Sequence, residues 1–346
     1  MKEVKKRILW VDIAKALTIL SVPISHTIPL EYMLRAVIFS FHMPLFFILS
    51  GFTTRLAEDW KTLVKRLKKN FLYLIIPTFL VLMIFTLTDT LSKGDITGYF
   101  PNLGFWLHEF FIEKYPNGFY TASAVWFLVA MFWAKLVMDL VNVTFKTEKN
   151  GIIFFFLGIL GVCMGIFEFR PPFFFDLGLV GAFFMYIGML WRKHEAFIKK
   201  YTLLIAMVAG IYWFAHVMRG DFIEMWTRFY AGYEVAFLTA FAGTFLVCQF
   251  AMMIEESAKK AGKYWKKFVD ALVTLGKTTM LLYMVHCLDT AFFEWAWDLR
   301  DGSDEMMWLS CFIRLSLNIA VYVVLYNSIR LVKAIKLDKT LAALKK

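Results

Sequence analysis

The sequence carries little charge for its length. Only 19% of its 346 residues are charged, while 60% are hydrophobic and 18% are aromatic. A soluble globular domain has about a quarter charged residues and about half apolar ones. The chain therefore has more apolar surface than one water-soluble core can bury, which excludes a soluble single-domain protein and predicts a membrane protein.

Cysteine is scarce as well. The four cysteines stand singly in apolar segments, with neither a CxxC motif nor the Cys/His spacing of a zinc site. This excludes a disulfide framework, and we expect no metal site. We also expect no cleavable signal peptide, because the first apolar run lacks a small-residue cleavage site and contains Asp12 and Lys15.

The net charge of +11 comes from basic residues at the ends of the apolar runs. This placement is typical of short cytoplasmic loops between membrane helices, so the predicted partner is a lipid bilayer and no nucleic acid is expected. The stretch 255–267 is predicted to be such a loop, in contact with anionic lipid.

The apolar runs predict an all-α polytopic membrane protein with about ten transmembrane helices, each needing about 20 mostly apolar residues. We place them at 8–27, 33–54, 70–90, 121–144, 150–167, 174–192, 200–217, 232–253, 271–297 and 307–333. The chain is expected to be a single membrane-embedded domain over 1–346, with a core of about 7–330 and no appended soluble domain.

The loop charges predict the orientation of these helices. If the N-terminus is cytoplasmic, the inside segments hold 27 Lys and Arg residues and the outside segments hold 6. This bias predicts cytoplasmic termini and a location in the inner membrane of the cell.

The first predicted helix carries three polar residues that a bilayer disfavours, Asp12, Lys15 and His26. Lys15 and His26 are eleven residues apart, so they project from nearly the same face, roughly 16 Å apart along the axis. An ion pair between Asp12 and Lys15 would lower the insertion cost of both and set helix register only. For His26, the competing interpretation is a polar helix end at the outer interface.

The second predicted helix contains FSFHMPLFFILSGF over residues 39–52. Pro44 is expected to kink it and to leave the carbonyl near Ser40 unpaired. His42 lies in its outer half, near the expected level of His26, so the two imidazoles could act as acid and base. Alternatively, His42 bonds a carbonyl freed by the kink.

Further polar residues divide between the two halves of the bilayer. Lys277 falls in the inner half, with Lys15. The candidate substrate-binding residues fall in the outer half: Trp126, Asp176, Tyr283, His286 and Arg314. The division predicts a polar passage across the membrane.

Several of these motifs resemble the integral-membrane acyltransferase-3 family. The matching segments, in order, are RILWVDIAKALTILSVPISH, FSFHMPLFFILSGF, the basic stretch before LIIP, WFL at 126–128, FFFDLGLVGAFFMYIGMLWRK and LGKTTMLLYMVHCLD. The resemblance covers about residues 7–330, and the chain looks most similar to the fucose 4-O-acetylase-like branch.

The resemblance implies ten helices and transfer of an acyl group, usually acetyl, from cytoplasmic acyl-CoA. The acceptor is a hydroxyl of an envelope glycan, a lipid-linked sugar or a related molecule. His26 matches the essential histidine and would act as general base. Together with Asp12 and His42, it forms the predicted catalytic group.

The resemblance also implies basic residues that hold the donor. Lys15 matches the family's basic position, and Lys277 is a further candidate. The family often has Arg-x-x-Arg before the proline of the third helix, but those positions are Asn70 and Tyr73 here. The nearest candidates for donor binding are then Arg66 and Lys69.

A transporter of a small metabolite is the alternative. Asp12, Lys15 and His286 could equally line a translocation path. Against it, the sequence has no visible inverted repeat, and a transporter needs no acyl-CoA.

Overall fold

The computed structural model describes residues 7–29, 31–92, 94, 96–111, 123–145 and 150–344. Its helices are α1 Leu9–Thr27, α2 Met33–Phe39, α3 His42–Thr53, α4 Trp60–Asn70, α5 Ile76–Ser92, α6 Tyr99–Phe111, α7 Trp126–Phe145, α8 Asn150–Ile166, α9 Phe175–Lys193, α10 Glu195–Lys200, α11 Thr202–Val217, α12 Glu234–Lys260, α13 Lys263–Lys277, α14 Thr279–Phe292, α15 Glu294–Asp298 and α16 Asp304–Leu344. A short antiparallel hairpin, β1 Ile223–Glu224 and β2 Phe229–Tyr230, joins α11 to α12.

Helices lie over all ten predicted spans. Among the described residues, six helical stretches are long and apolar enough to cross a membrane, and a bent pair of helices makes a seventh. Two further apolar helices, Gly151–Ile166 and Thr202–Val217, are shorter. The all-α membrane architecture follows from these helices, while ten crossings and cytoplasmic termini stay predictions.

The bundle is centred on α9, which packs against α3, α7 and α8. The approach to α3 depends on glycine. A Cβ added to Gly51 would lie 1.8 Å from the carbonyl oxygen of Met185, and one added to Gly188 would lie 1.9 Å from that of Ile48. Because neither backbone could keep its place with a larger residue, these glycines fix the distance between the helices.

The second predicted helix is broken into α2 and α3, with Ser40 and Phe41 between them. Pro44 has no N–H to donate to the Ser40 carbonyl, so the chain ends one helix and starts another. Pro44 then lies in the first turn of α3, where its missing N–H costs nothing. The kink predicted from Pro44 is thus a two-residue interruption within Met33–Thr53, which remains one of the six stretches that could cross a membrane.

The third predicted helix starts ten residues earlier than expected, at Trp60. Asp59 caps α4 by accepting the Thr62 N–H at 2.8 Å. The π-helical segment Phe71–Ile75 links α4 to α5 immediately before Pro77. Pro77 cannot donate to the Tyr73 carbonyl, and wider π turns accommodate such a gap.

The ninth predicted helix is two helices, α13 and α14, that meet at Thr278 with a bend of 74°. Most of the stretch 255–267, predicted as a loop, is helical instead, since α12 continues to Lys260 and α13 begins at Lys263. Their charged residues lie on amphipathic helices, which is why the sequence was wrongly interpreted as a loop here.

Candidate active site

Helix α1 carries the two ends of the candidate site, and α3, α12, α13, α14 and α16 pack around it. Near its first turn, Asp12 is buried and accepts two hydrogen bonds from Arg7, at 2.5 and 2.9 Å. The ion pair of Asp12 is therefore with Arg7, and the alternative pair with Lys15 does not form. A guanidinium can bind both carboxylate oxygens at once, which an ammonium group cannot match.

Lys15 is half-buried and makes no hydrogen bond or ion pair with any described residue. A second half-buried lysine, Lys135 of α7, lies close enough for the two charges to repel each other. Lys135 donates a hydrogen bond to the Ser50 hydroxyl at 2.6 Å. Two ammonium groups within electrostatic range of each other in an apolar bundle favour a nearby anion.

Arg66 and Lys69 extend this cationic group along α4, within electrostatic range of Lys135. The Arg66 charge is paired, since its Nε donates to the buried Asp139 carboxylate at 2.6 Å. Asp139 also accepts the Ala57 N–H at 2.9 Å, which ties the loop after α3 to α7. Lys69 is exposed, with its ammonium 5.9 Å from the Tyr73 ring centroid.

Lys277 is exposed at the last position of α13. The helix turn that carries it touches α1 directly, because a Cβ on Gly276 would lie 1.8 Å from the Asp12 carbonyl oxygen. Lys277 therefore lies near the Asp12 end of α1 and away from His26.

The other end of α1 holds His26, and two more histidines gather there. The rings of His26 and His286 are stacked, with centroids 5.4 Å apart and planes inclined by 22°. Phe39 lies between His26 and His42, at 6.0 Å from the first ring and 4.7 Å from the second. His42 Nδ1 lies 3.0 Å from the Ile38 carbonyl oxygen, so it bonds a carbonyl at the break between α2 and α3.

A buried polar network holds His286. Its Nδ1 lies 3.1 Å from Asp289 Oδ2. Arg314 of α16 donates to both oxygens of Asp289, at 2.9 and 2.8 Å, and Asn318 donates to Oδ2 at 3.0 Å. Arg314 also donates to the Thr27 hydroxyl, next to His26 on α1. The network thus joins α1, α14 and α16 beside the stacked histidines.

Arg35 lies on the α2 side of the same group. Its guanidinium donates to the Ile28 carbonyl at 2.8 Å, lies 3.7 Å from Glu224 of β1, and sits 4.8 Å over the Phe39 ring. Its guanidinium lies within electrostatic range of His26, as does that of Arg314. The hairpin between α11 and α12 therefore closes over the histidine end of the bundle.

Trp126 and Tyr283 lie together at the start of α7. The Tyr283 hydroxyl donates to the Ala124 carbonyl, and its ring centroid is 5.8 Å from that of Phe127. Trp126 is buried and tilted against Trp226, with centroids 6.5 Å apart. The contacts of Tyr283 connect α14 to α7, one turn from His286, and the contact between the two tryptophans connects α7 to the turn between β1 and β2.

Asp176 is buried in a bidentate pair with Arg228, at 2.8 and 3.1 Å. Among the described residues, no hydrogen bond joins this pair to the three histidines. The structure therefore brings together His26, His42, His286 and Arg314, and it holds Asp176 in a separate ion pair.

Comparison with known families decides the identity of the chain. An acyltransferase domain model, acyltransferase-3, matches residues 8–327. The chain belongs to the acyltransferase-3 family. With its apolar helices, it is a multi-pass membrane acyltransferase. No curated protein matches it, and no solved structure does.

Two charged residues of this acyltransferase were missed in the sequence. Lys135 and Asp139 stand four residues apart within the apolar α7. A charged residue inside a membrane helix is a functional-site hypothesis by default, the same signal that singled out Asp12 and Lys15. Arg35 and Glu224 carried no such signal, because both lie in segments that read as loop or helix end.

Proposed function

We propose that this acyltransferase moves an acyl group, most simply acetyl, from cytoplasmic acyl-CoA to a hydroxyl of an envelope glycan or lipid-linked sugar. The observation that carries the proposal is the separation of charge along α1. Lysines gather near its first turns, and histidines gather near its last turn. An acyl-CoA donor has the matching shape, with phosphates at one end and a thioester at the other.

In this proposal, the lysine end lies toward the cytoplasm and binds the donor phosphates. Lys15 and Lys135 are the more buried of these cations, and Lys69 is exposed at the surface. Arg66 contributes charge while its guanidinium is held by Asp139. An ammonium group binds phosphate as a point charge and needs no fixed orientation.

His26 acts as the general base on the acceptor hydroxyl. An alcohol attacks a thioester poorly until its proton is removed, and imidazole is suited to that task near neutral pH. His26 has no hydrogen-bond partner among the described residues, so its ring nitrogens remain available to a substrate.

Replacement of His26 by alanine tests the base. Acylation of envelope glycans is measured by mass spectrometry in cells that express the wild type or His26→Ala at matched membrane levels. The expected result is a fall to the level of cells without the protein. His216→Ala is the matched control, because His216 contacts Asp221 and Tyr212 at the end of α11, outside the site. Unchanged acylation with His26→Ala would show that His26 is not the general base.

Binding of acetyl-CoA to the purified protein tests the donor. Calorimetry is expected to show binding by the wild type and weaker binding by Lys15→Gln. A wild type that does not bind acetyl-CoA at all would favour the transporter alternative.

A further inference from the structure

The stacked histidines have different surroundings. His286 Nδ1 faces the Asp289 carboxylate, whereas His26 has no carboxylate partner among the described residues. An ionised carboxylate can only accept a hydrogen bond, so Nδ1 of His286 carries the hydrogen. Its Nε2 is then the nitrogen left for chemistry.

Asp289 is fixed more firmly than a single contact would fix it. Arg314 and Asn318 donate to its oxygens, and the side chains of Asp289 and Arg314 are each only 1% exposed. A carboxylate held this way keeps an imidazole in one tautomer and one orientation, and it stabilises the imidazolium that forms during a reaction. His286 therefore has the support that an acid–base catalyst needs.

Transfer from a thioester to an alcohol involves two proton movements. The alcohol loses a proton as its oxygen attacks, and the departing sulfur gains one. Two imidazoles with different neighbours can divide these tasks, since unlike environments separate an acid from a base. The ring distance of 5.4 Å places both within reach of one reacting centre.

We propose that His286, oriented by Asp289, is the general acid of this site and protonates the leaving sulfur, while His26 is the base. This inference rests on the proposed function. The alcohol proton passes to His26 as the oxygen bonds to the thioester carbon. The carbon–sulfur bond then breaks, and the sulfur keeps its electron pair and takes the proton from His286. Return of the proton from His26 to His286 restores both rings, so the products are the ester and the free thiol of CoA.

Several charged and titratable groups face the pair of His26 and His286. His286 faces His26 from α1, Arg314 from α16 and Asp289 from its own helix. On the side away from His286, Arg35 and His42 lie within electrostatic range of His26. Arginine side chains do not lose their proton in proteins, and the Asp289 carboxylate is bonded by Arg314. We therefore assign any change of the transfer rate with pH near neutrality to the histidines.

Membranes containing His286→Gln or Asp289→Asn test the acid with radiolabelled acetyl-CoA as donor and the envelope material in the membranes as acceptor. The transfer rate is expected to fall by about 10²-fold or more, the usual contribution of a general acid. The rate of the wild type should decline at high pH, where the acid loses its proton. This alkaline limb should be absent from His286→Gln, and it should move to lower pH in Asp289→Asn, which loses the carboxylate that stabilises the imidazolium. A purely structural role would lower the rate and leave the limb in place.

The chain offers a matched control in a second His–Asp pair. His216 Nδ1 lies 2.8 Å from Asp221 Oδ2 at the end of α11, so His216→Gln and Asp221→Asn make the same chemical changes outside the site. Both controls are expected to keep the wild-type rate and profile. His286→Gln is the decisive variant, because it keeps the pair of Asp289 with Arg314, whereas Asp289→Asn leaves a buried cation unpaired.

A second measurement does not depend on turnover. In protein labelled with ¹⁵N-histidine, the six histidines are assigned by single substitutions, and both ring nitrogens of His286 are expected to carry protons at the pH of maximal transfer while His26 is neutral. A neutral His286 at that pH, or a His286→Gln variant with wild-type rate and both limbs, overturns the proposal. Wild-type membranes that transfer nothing from acetyl-CoA would instead refute the proposed function.

Discussion

Buried carboxylates and half-buried lysines differ in their ion-pair partners in this protein. Each of four buried aspartates is paired with an arginine, in the pairs Asp12–Arg7, Asp139–Arg66, Asp176–Arg228 and Asp289–Arg314. Neither Lys15 nor Lys135 forms an ion pair with a carboxylate in the part of the chain that the structure describes, although both are half-buried among apolar helices. Arginines thus neutralise the buried carboxylates, and the proposed function assigns the charges of the two lysines to the phosphates of the donor.

Lys135→Met is predicted to weaken binding of the donor. The substitution keeps most of the apolar side chain but removes its ammonium group and charge. A hydrogen bond to a charged group is worth enough for a change of about tenfold. The expected result is a KM for acetyl-CoA raised by about tenfold with kcat little changed, because ground-state and transition-state binding are lost together.

Lys61→Met is the control for this substitution, since Lys61 is exposed in the first turn of α4. It should leave the KM unchanged. A normal KM for Lys135→Met, in protein that binds acetyl-CoA as tightly as the wild type, would show that Lys135 serves packing alone.

Hydropathy locates helices well and their ends poorly. All ten predicted spans contain helix, because a run of apolar residues has few other structures available in lipid. The basic helices α4 and α13 were missed or shortened, because their charged faces lower the hydropathy of the window. The bend at Thr278 had no sequence signal, since neither proline nor glycine occupies it.

The candidate site was predictable one helix at a time. Intramembrane polarity pointed to His26, His42 and His286, and the structure places their rings in one group with Phe39. The partners could not be predicted, because pairing depends on which helices pack together. For example, an ion pair between Asp12 and Lys15 within α1 was the alternative interpretation, but Asp12 binds Arg7, which precedes the helix.

Gly276 is the contact that sets the position of α1 against α13. A methyl group there would lie 1.8 Å from the Asp12 carbonyl oxygen, so Gly276→Ala must separate the helices or bend one of them. Overpacking of this kind typically costs about 1–3 kcal/mol. We expect a lower melting temperature in detergent and reduced acyl transfer, because Lys15 lies one turn further along α1.

Gly210→Ala is the matched change within a helix. A Cβ at Gly210 meets nothing within 4 Å, so the substitution should raise stability by up to about 1 kcal/mol through helix propensity. If Gly276→Ala melted at the same temperature as Gly210→Ala, the close contact between α1 and α13 would be wrong.

At the scale of the whole molecule, the proposed reaction requires a fixed orientation. The donor is made in the cytoplasm, so the lysine end of α1 must face inward, and the histidine end must face the envelope. The loop charges predict the same direction, with 27 basic residues inside and 6 outside. Two independent arguments, one from the site and one from the loops, therefore agree.

Helix α12 allows a direct test of this orientation. Its 27 residues reach about 40 Å, more than the roughly 30 Å of bilayer hydrocarbon, so its two ends should emerge on opposite sides. Arg219 precedes it and Gly262 follows it, and both are exposed. In a chain whose four cysteines are replaced by alanine, a membrane-impermeant maleimide should label Arg219→Cys on intact cells and Gly262→Cys only after permeabilisation.

The remaining labelling patterns distinguish the errors. Labelling of Gly262→Cys alone on intact cells would invert the bundle and place the histidine end in the cytoplasm, where the acceptor would have to be a cytoplasmic molecule. Labelling of both positions from one side would mean that α12 does not cross the membrane. Only the first pattern lets one helix, α1, carry a cytoplasmic donor site at one end and the base for an envelope acceptor at the other, and so allows one acyl group to cross between them.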